Sequence, residues 1–194
     1  MRSDDDLLNF IRQDRGLTEL LSRVCEFDLT RGDHGEPVRF SSGLSLEGIA
    51  GDFTGGTIFL CGDHGPTRPV LYAGSEGQAG VVGRNLAEVL EVLVGLPSWW
   101  DCLKFSGGGD LAVMQVAAEH LERDEHRDEP GLRSRRAQAV SALSLETAPV
   151  PELLARLRDA VLSTEPDYVL IVETGEEYES LFGPWLPSRN PMWR

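Results

Sequence analysis

The chain has 194 residues, 41% of them hydrophobic and 26% charged, an ordinary composition for a globular protein long enough to bury a real core. Against 18 Lys and Arg stand 32 Asp and Glu, a formal charge of −14 at neutral pH. So acidic a surface repels nucleic-acid phosphate and anionic membranes, which disfavours both as partners, and it attracts basic proteins.

The start, Met1-Arg2-Ser3-Asp4-Asp5-Asp6, lacks the basic-then-apolar order of a secretory signal. No apolar run approaches the roughly 20 residues that span a bilayer, so a cytoplasmic location is expected. Residues Asp4 to Glu26 predict one or two helices: Leu7, Leu8 and Ile11 recur at helical spacing, and Leu17, Leu20, Leu21 and Val24 repeat the pattern after Gly16. Asp28 to Ser42, with Arg31-Gly32-Asp33-His34-Gly35 and a proline, reads as a turn or loop.

From Leu46 to Val94, short apolar runs separated by glycine-rich breaks predict consecutive hairpin strands and then a helix. Gly51 and Gly55-Gly56 flank Asp52-Phe53-Thr54, a turn between strands. Thr57 to Cys61, Val70 to Tyr72 and Ala79 to Val82 are the strands that follow, with turns at Gly62 to Pro66 and Gly74 to Gly77. Asn85 is placed to cap a helix, Glu88 three residues on completes a capping box, and Leu86, Val89, Leu90, Leu93 and Val94 form the buried stripe. Gly95 and Pro97 end it.

Pro97 to Lys104 predicts a short helix with Pro97 in its first turn, broken by Gly107-Gly108-Gly109. Asp110 then caps a helix with Leu111, Met114, Ala118 and Leu121 on one face. Glu119 to Arg136, dense in both signs of charge and divided at Pro130-Gly131, reads as a solvated helix end and linker. Arg133 to Leu145 and a segment beginning at Pro151 are predicted helices, and Asp167 to Val172 a buried strand. The tail, with Phe182, Trp185 and Trp193, is expected to pack against the domain. The expected architecture is α+β: an antiparallel or mixed sheet of about five to six strands with helices packed on it, and additional helices in the second half. Residues 1–194 are expected to form one domain with a charged helical insertion or extension around 110–165.

Chemistry is sparse. Cys25, Cys61 and Cys102 are odd in number and widely spaced, which argues against a disulfide framework. Cys61-Gly62-Asp63-His64 offers a thiol and an imidazole, but zinc needs about four donors and no second pair accompanies them. The glycines of Gly48 to Gly56 are followed by no lysine and so form no phosphate cradle. No catalytic, metal-ligating or cofactor-binding set is predicted. Trp99-Trp100-Asp101 is the exception to a bland surface. Neighbours on a helix point about 100° apart, so one ring is expected to cap the core and the other to lie at a rim, where tryptophan is enriched among binding hot spots.

Leu46 to Leu93 resembles the SUKH superfamily, shared by Smi/Knr-type yeast cell-wall regulators and many bacterial immunity proteins. A glycine-marked first strand ends at Gly51-Asp52, and Gly55-Gly56-Thr57-Ile58-Phe59-Leu60 and Pro69-Val70-Leu71-Tyr72 follow. The charged turn Ser75-Glu76-Gly77, a short strand and Asn85-Leu86-Ala87-Glu88-Val89-Leu90 complete the pattern. The resemblance implies an α+β fold with no catalytic centre and, for bacterial members, binding to a cognate toxin, often a nuclease. A basic protein partner fits the charge, with Asp52, Asp63, Glu76, Trp99, Trp100 and Asp101 as its contacts. The rival readings are a regulatory adaptor, or an enzyme using Cys61 and His64, with Cys102 as a further candidate.

Overall fold

A computed structural model of the chain describes residues 2–63, 65–96 and 98–183. His64, Pro97, Trp185 and Trp193, which carry several of the expectations above, lie outside the described residues. The chain opens with two helices, α1 (Asp4–Gln13) and α2 (Arg15–Cys25). Asp14 divides them: its extended backbone ends α1, and its side chain accepts from Leu17 N at 3.0 Å to start α2. A single 3-10 turn, Leu29–Arg31, leads to strand β1 (Val38–Phe40).

A meander follows: β2 (Leu46–Gly51), β3 (Thr57–Cys61), β4 (Val70–Ala73) and β5 (Gln78–Gly83). Then come α3 (Leu86–Gly95), α4 (Trp99–Lys104), α5 (Leu111–Asp128), α6 (Leu132–Leu143) and α7 (Val150–Leu162). Strands β6 (Leu170–Val172) and β7 (Glu179–Ser180) close the described part. The main sheet has the order β2-β3-β4-β5-β7; its first four strands are antiparallel neighbours, and β7 adds to β5 in parallel. β1 and β6 pair antiparallel as a separate ribbon, Arg39 opposite Ile171. The fold is the expected α+β arrangement, with a mixed sheet and a helical second half.

Side chains alternate across β3 and β4, and both faces of these strands are covered. Ile58, Leu60, Val70 and Tyr72 enter the core shared with Leu8, Leu21, Leu90 and Leu93 of the helices. Phe59, Cys61, Leu71 and Ala73 point the other way and meet Phe40 of β1 and Leu170 of β6. Every residue of β3, β4 and β5 is therefore buried, which is why these strands read as unbroken apolar runs. Each large aliphatic side chain so buried stabilises the fold by about 1.5–3 kcal/mol.

The start of α3 is held twice. Asn85 Oδ1 accepts from Glu88 N at 2.9 Å, as the sequence predicts. Glu88 reaches back to Arg84 N, at 2.7 Å, because its carboxylate also holds the Arg84 guanidinium at 3.0 Å. Asp4, 2% exposed, accepts from both Leu86 N and Arg68 N and so ties α1 to the β3–β4 loop and to α3. Burial pushes its carboxyl above the ordinary range in spite of those donors.

Three segments differ from expectation. Asp28 to Ser42 is not loop throughout, since Val38–Phe40 pairs with Leu170–Val172. The predicted strand at 167–172 shortens to its last three residues, with Tyr168 packed edge-on against Phe40 at 5.8 Å. The charged stretch after Glu119 is the expected solvated helix end, but the linker is short, residues 129–131 between α5, which runs to Asp128, and α6, which begins at Leu132.

Candidate functional site

Four of the six predicted contact residues converge. The turn after β2 supplies Asp52 and the start of α4 supplies Trp99, Trp100 and Asp101, and all four line one cleft of about 430 Å3. Its other walls come from the end of α2 (Glu26), from β4 (Tyr72), from α5 (Glu125, Glu129) and from α6 (Arg136). The volume falls in the range of about 300–1,000 Å3 typical of ligand pockets.

The floor is aromatic. Tyr72 stands on the helix-facing side of β4, and α4 crosses above it with both tryptophans. Ring centroids of Tyr72 and Trp99 are 5.0 Å apart at 89°, those of Tyr72 and Trp100 5.2 Å apart at 54°, and those of the two tryptophans 5.9 Å apart at 75°. The first and third are the edge-to-face geometries that aromatic quadrupoles favour, and the second is tilted. Neither tryptophan caps the core alone: both are half-buried. The 100° step between them straddles the one tyrosine ring, which corrects the expectation of one core ring and one rim ring.

Above the floor sits acid. Asp52 Oδ2 accepts the Tyr72 hydroxyl at 2.6 Å, while its Oδ1 accepts Thr54 N, Thr54 Oγ1 and Gly56 N, each at 2.8 Å. Glu26 accepts weakly from Phe53 N at 3.4 Å. Burial, then the hydrogen bond to and charge of Asp52, with a smaller push from Glu26, raise the Tyr72 hydroxyl far above its ordinary pKa, so it remains a donor. On the opposite wall desolvation raises the Asp101 carboxyl, with the Coulombic pull of Lys104 working against it. Glu125 is raised for the same reason, although Arg136 sits 3.1 Å from its carboxylate. Five carboxylates and two guanidiniums line the cleft. It is a net-negative pocket, desolvated at Asp101 and Glu125, with an aromatic base, suited to a cation and not to an anion.

Asp63 and Glu76 are not part of it. Both are exposed; Asp63 lies on the β3–β4 loop, at the end of the sheet remote from Asp52, and Glu76 on the β4–β5 turn. That turn does stand beside the site, because Ser75 Oγ donates to Thr54 O at 3.0 Å. A larger groove of about 530 Å3 between α3, α5 and α6 shares Glu125, Glu129 and Arg136 with the cleft. No tryptophan or tyrosine lines that groove, and its rim charges pair internally, Arg133 with Glu122 and Arg136 with Glu125.

The cysteines form no reactive centre among the described residues. Burial pushes the thiols of Cys25, Cys61 and Cys102 each up to about 12, so none carries thiolate near neutrality. No group of His, Cys, Asp and Glu among the described residues is arranged to hold a metal ion.

Sequence reasoning missed Tyr72, Glu26 and Glu125 as site residues, and it missed a second polar cluster altogether. His34 Nδ1 lies 3.1 Å from Thr57 Oγ1 and Nε2 2.9 Å from Tyr178 Oη, which in turn donates to Glu36 Oε1 at 2.6 Å. Only the alternation of β4 signalled Tyr72, by placing it on the same face as Val70. No family model, curated protein or solved structure matches the chain.

Proposed function

We propose that the chain is a non-catalytic protein-binding module, an immunity-like protein of the SUKH type that neutralises a basic cognate toxin, for which a nuclease is the fitting class. The observation that carries this reading is the cleft itself: two tryptophans and a tyrosine under a net-negative rim, on a chain of formal charge −14. Half-buried tryptophans of this kind act as binding anchors. The surrounding acid supplies rate and partner choice, since complementary charge steers encounter and rejects like-charged competitors.

A nuclease presents a positive surface to its phosphate substrate, and an acidic protein seated there both occupies and neutralises it. The buried, protonated thiols favour binding over cysteine chemistry. Among the described residues no helix is long and apolar enough to cross a membrane. A cytoplasmic location, where a self-protecting inhibitor would meet its toxin, fits this reading.

The test is affinity capture of the protein encoded by the adjacent reading frame, at low and at high salt. Retention at low salt with loss at high salt is the expected result. Failure to retain any neighbouring product, or retention indifferent to ionic strength, contradicts the reading.

A further inference from the structure

The geometry points to a narrower role for the cleft: it receives one arginine side chain of the partner, stacked on the tryptophan pair and paired with Asp101. This rests on the protein-binding reading above and adds the chemistry of the anchor. Near-perpendicular rings form a corner, so a planar cation laid against one face also meets its neighbour. The two tryptophans, half-buried and 75° apart above the buried Tyr72 ring, provide such a corner at the base of the cleft. Tryptophan is the strongest aromatic partner of a cation, and the attraction grows when water is excluded.

The cleft holds charge for such a guest. Glu125 is occupied by Arg136 at 3.1 Å, and Glu129 by Arg135. Arg31 serves Asp28, at 3.4 Å, and donates to the Asp52 backbone oxygen and not to its carboxylate. Asp101, adjacent in the chain to Trp100 and lining the same cleft, is penalised by burial, with the Coulombic pull of Lys104 opposing it. A cation brought beside it relieves that penalty.

Arginine fits better than lysine on two grounds. Its guanidinium is planar and weakly hydrated, so it stacks on rings at little desolvation cost, and its fork matches a carboxylate, whereas an ammonium is a compact and strongly hydrated point charge. A neutral segment of the same shape would gain the ring contacts but leave the Asp101 carboxylate desolvated, a penalty opposed by the Coulombic pull of Lys104. A second copy of this chain is a poor occupant, because two bodies of charge −14 repel.

The test is an NMR titration of the full chain with a blocked Gly-Arg-Gly peptide, its lysine counterpart and its citrulline counterpart, following the indole N–H signals of Trp99 and Trp100. The arginine peptide is expected to shift both signals saturably, with a dissociation constant on the order of 1 mM. The lysine peptide binds about tenfold more weakly, and citrulline gives no saturable shift. Asp101→Asn keeps the side-chain shape and weakens the arginine peptide about tenfold; Asp63→Asn, at the far end of the sheet, leaves it unchanged. Equal shifts from citrulline, or no saturable shift from arginine, overturn the inference. The wider reading separates cleanly. A basic neighbour captured equally well by the wild type and by Asp101→Asn keeps the binding function and removes the arginine anchor. Arginine-peptide binding with no captured neighbour keeps the anchor and removes the toxin reading.

Discussion

The Tyr72 hydroxyl donates to Asp52 Oδ2 at 2.6 Å, and this one bond joins the middle of the sheet to the turn that edges the cleft. The same tyrosine ring supports both tryptophans at 5.0 and 5.2 Å. Acid and aromatic halves of the cleft are therefore positioned by a single side chain. Gly56 makes room for it, since a Cβ there would overlap the Tyr72 hydroxyl and ring.

Tyr72→Phe keeps the ring and removes the bond to Asp52. Hydrogen bonds to charged groups contribute about 1.5–3 kcal/mol, so urea denaturation is expected to show a loss near the lower end of that range, because the turn still bonds Oδ1. Gly56→Ala acts through overlap and costs about 1–3 kcal/mol, with a changed tryptophan emission as the ring moves. An alanine variant as stable as the wild type, with unchanged emission, would show that this packing is loose.

Asp101→Asn separates stability from binding. The folded-state pKa of Asp101 is raised, so the folded state binds this proton more tightly than the unfolded chain does. The stabilisation by its proton is full below the unfolded value and is lost as pH rises through the folded one, leaving a desolvated charge near neutrality. The asparagine variant is expected to melt higher at neutral pH by up to about 3 °C, with the advantage vanishing in acid. A gain in stability with a loss of cation binding marks a residue kept for function. Equal melting curves across pH would remove Asp101 from that role.

Native-state alkylation reports on the cysteines. With thiols held up at about 12 by burial, Cys61 and Cys102 should react with iodoacetamide orders of magnitude more slowly than a free cysteine at mildly alkaline pH, and at the ordinary rate once unfolded. Fast labelling of Cys61 in the folded protein would revive a thiol enzyme.

His34 predicts a pH dependence of the opposite sign. The Tyr178 hydroxyl donates to Glu36 and so accepts from His34 Nε2; in the neutral ring that burial favours, Nδ1 then accepts from Thr57 Oγ1. Burial lowers its pKa from 6.5, with Glu36 pulling the other way. Its contribution is whole above the unfolded value and is lost as pH falls from there through the folded one. His34→Gln is expected to flatten the loss of stability as pH falls below the ordinary imidazole value of 6.5, measured by urea melts. An unchanged slope would assign that dependence to other groups.

Local grammar made much of the fold legible. Asn85 and Asp110 announce their helices because a cap is decided within a few residues, and the meander shows in its glycine-marked turns. Strand β1 was hidden because its partner Leu170–Val172 lies about 130 residues away, and Pro37 and Gly35 beside it imitate a loop. At the site, the tryptophans and their neighbouring acids were visible as unusual residues. Tyr72, Glu26 and Glu125 were not, since an ordinary strand tyrosine and two glutamates among many acids become special only when β4, α2 and α5 meet. Asp63 shows the converse: its composition suited the site and its place in the sheet did not.

The central claim is that the aromatic, acidic cleft docks a basic protein. Its most direct test is the affinity of the wild type and of Asp101→Asn for the protein encoded beside it, by calorimetry at about 50 mM and about 200 mM salt. Binding that weakens with added salt, and by about tenfold on the asparagine change, is the predicted result. Binding indifferent to both, or none at all, would contradict it.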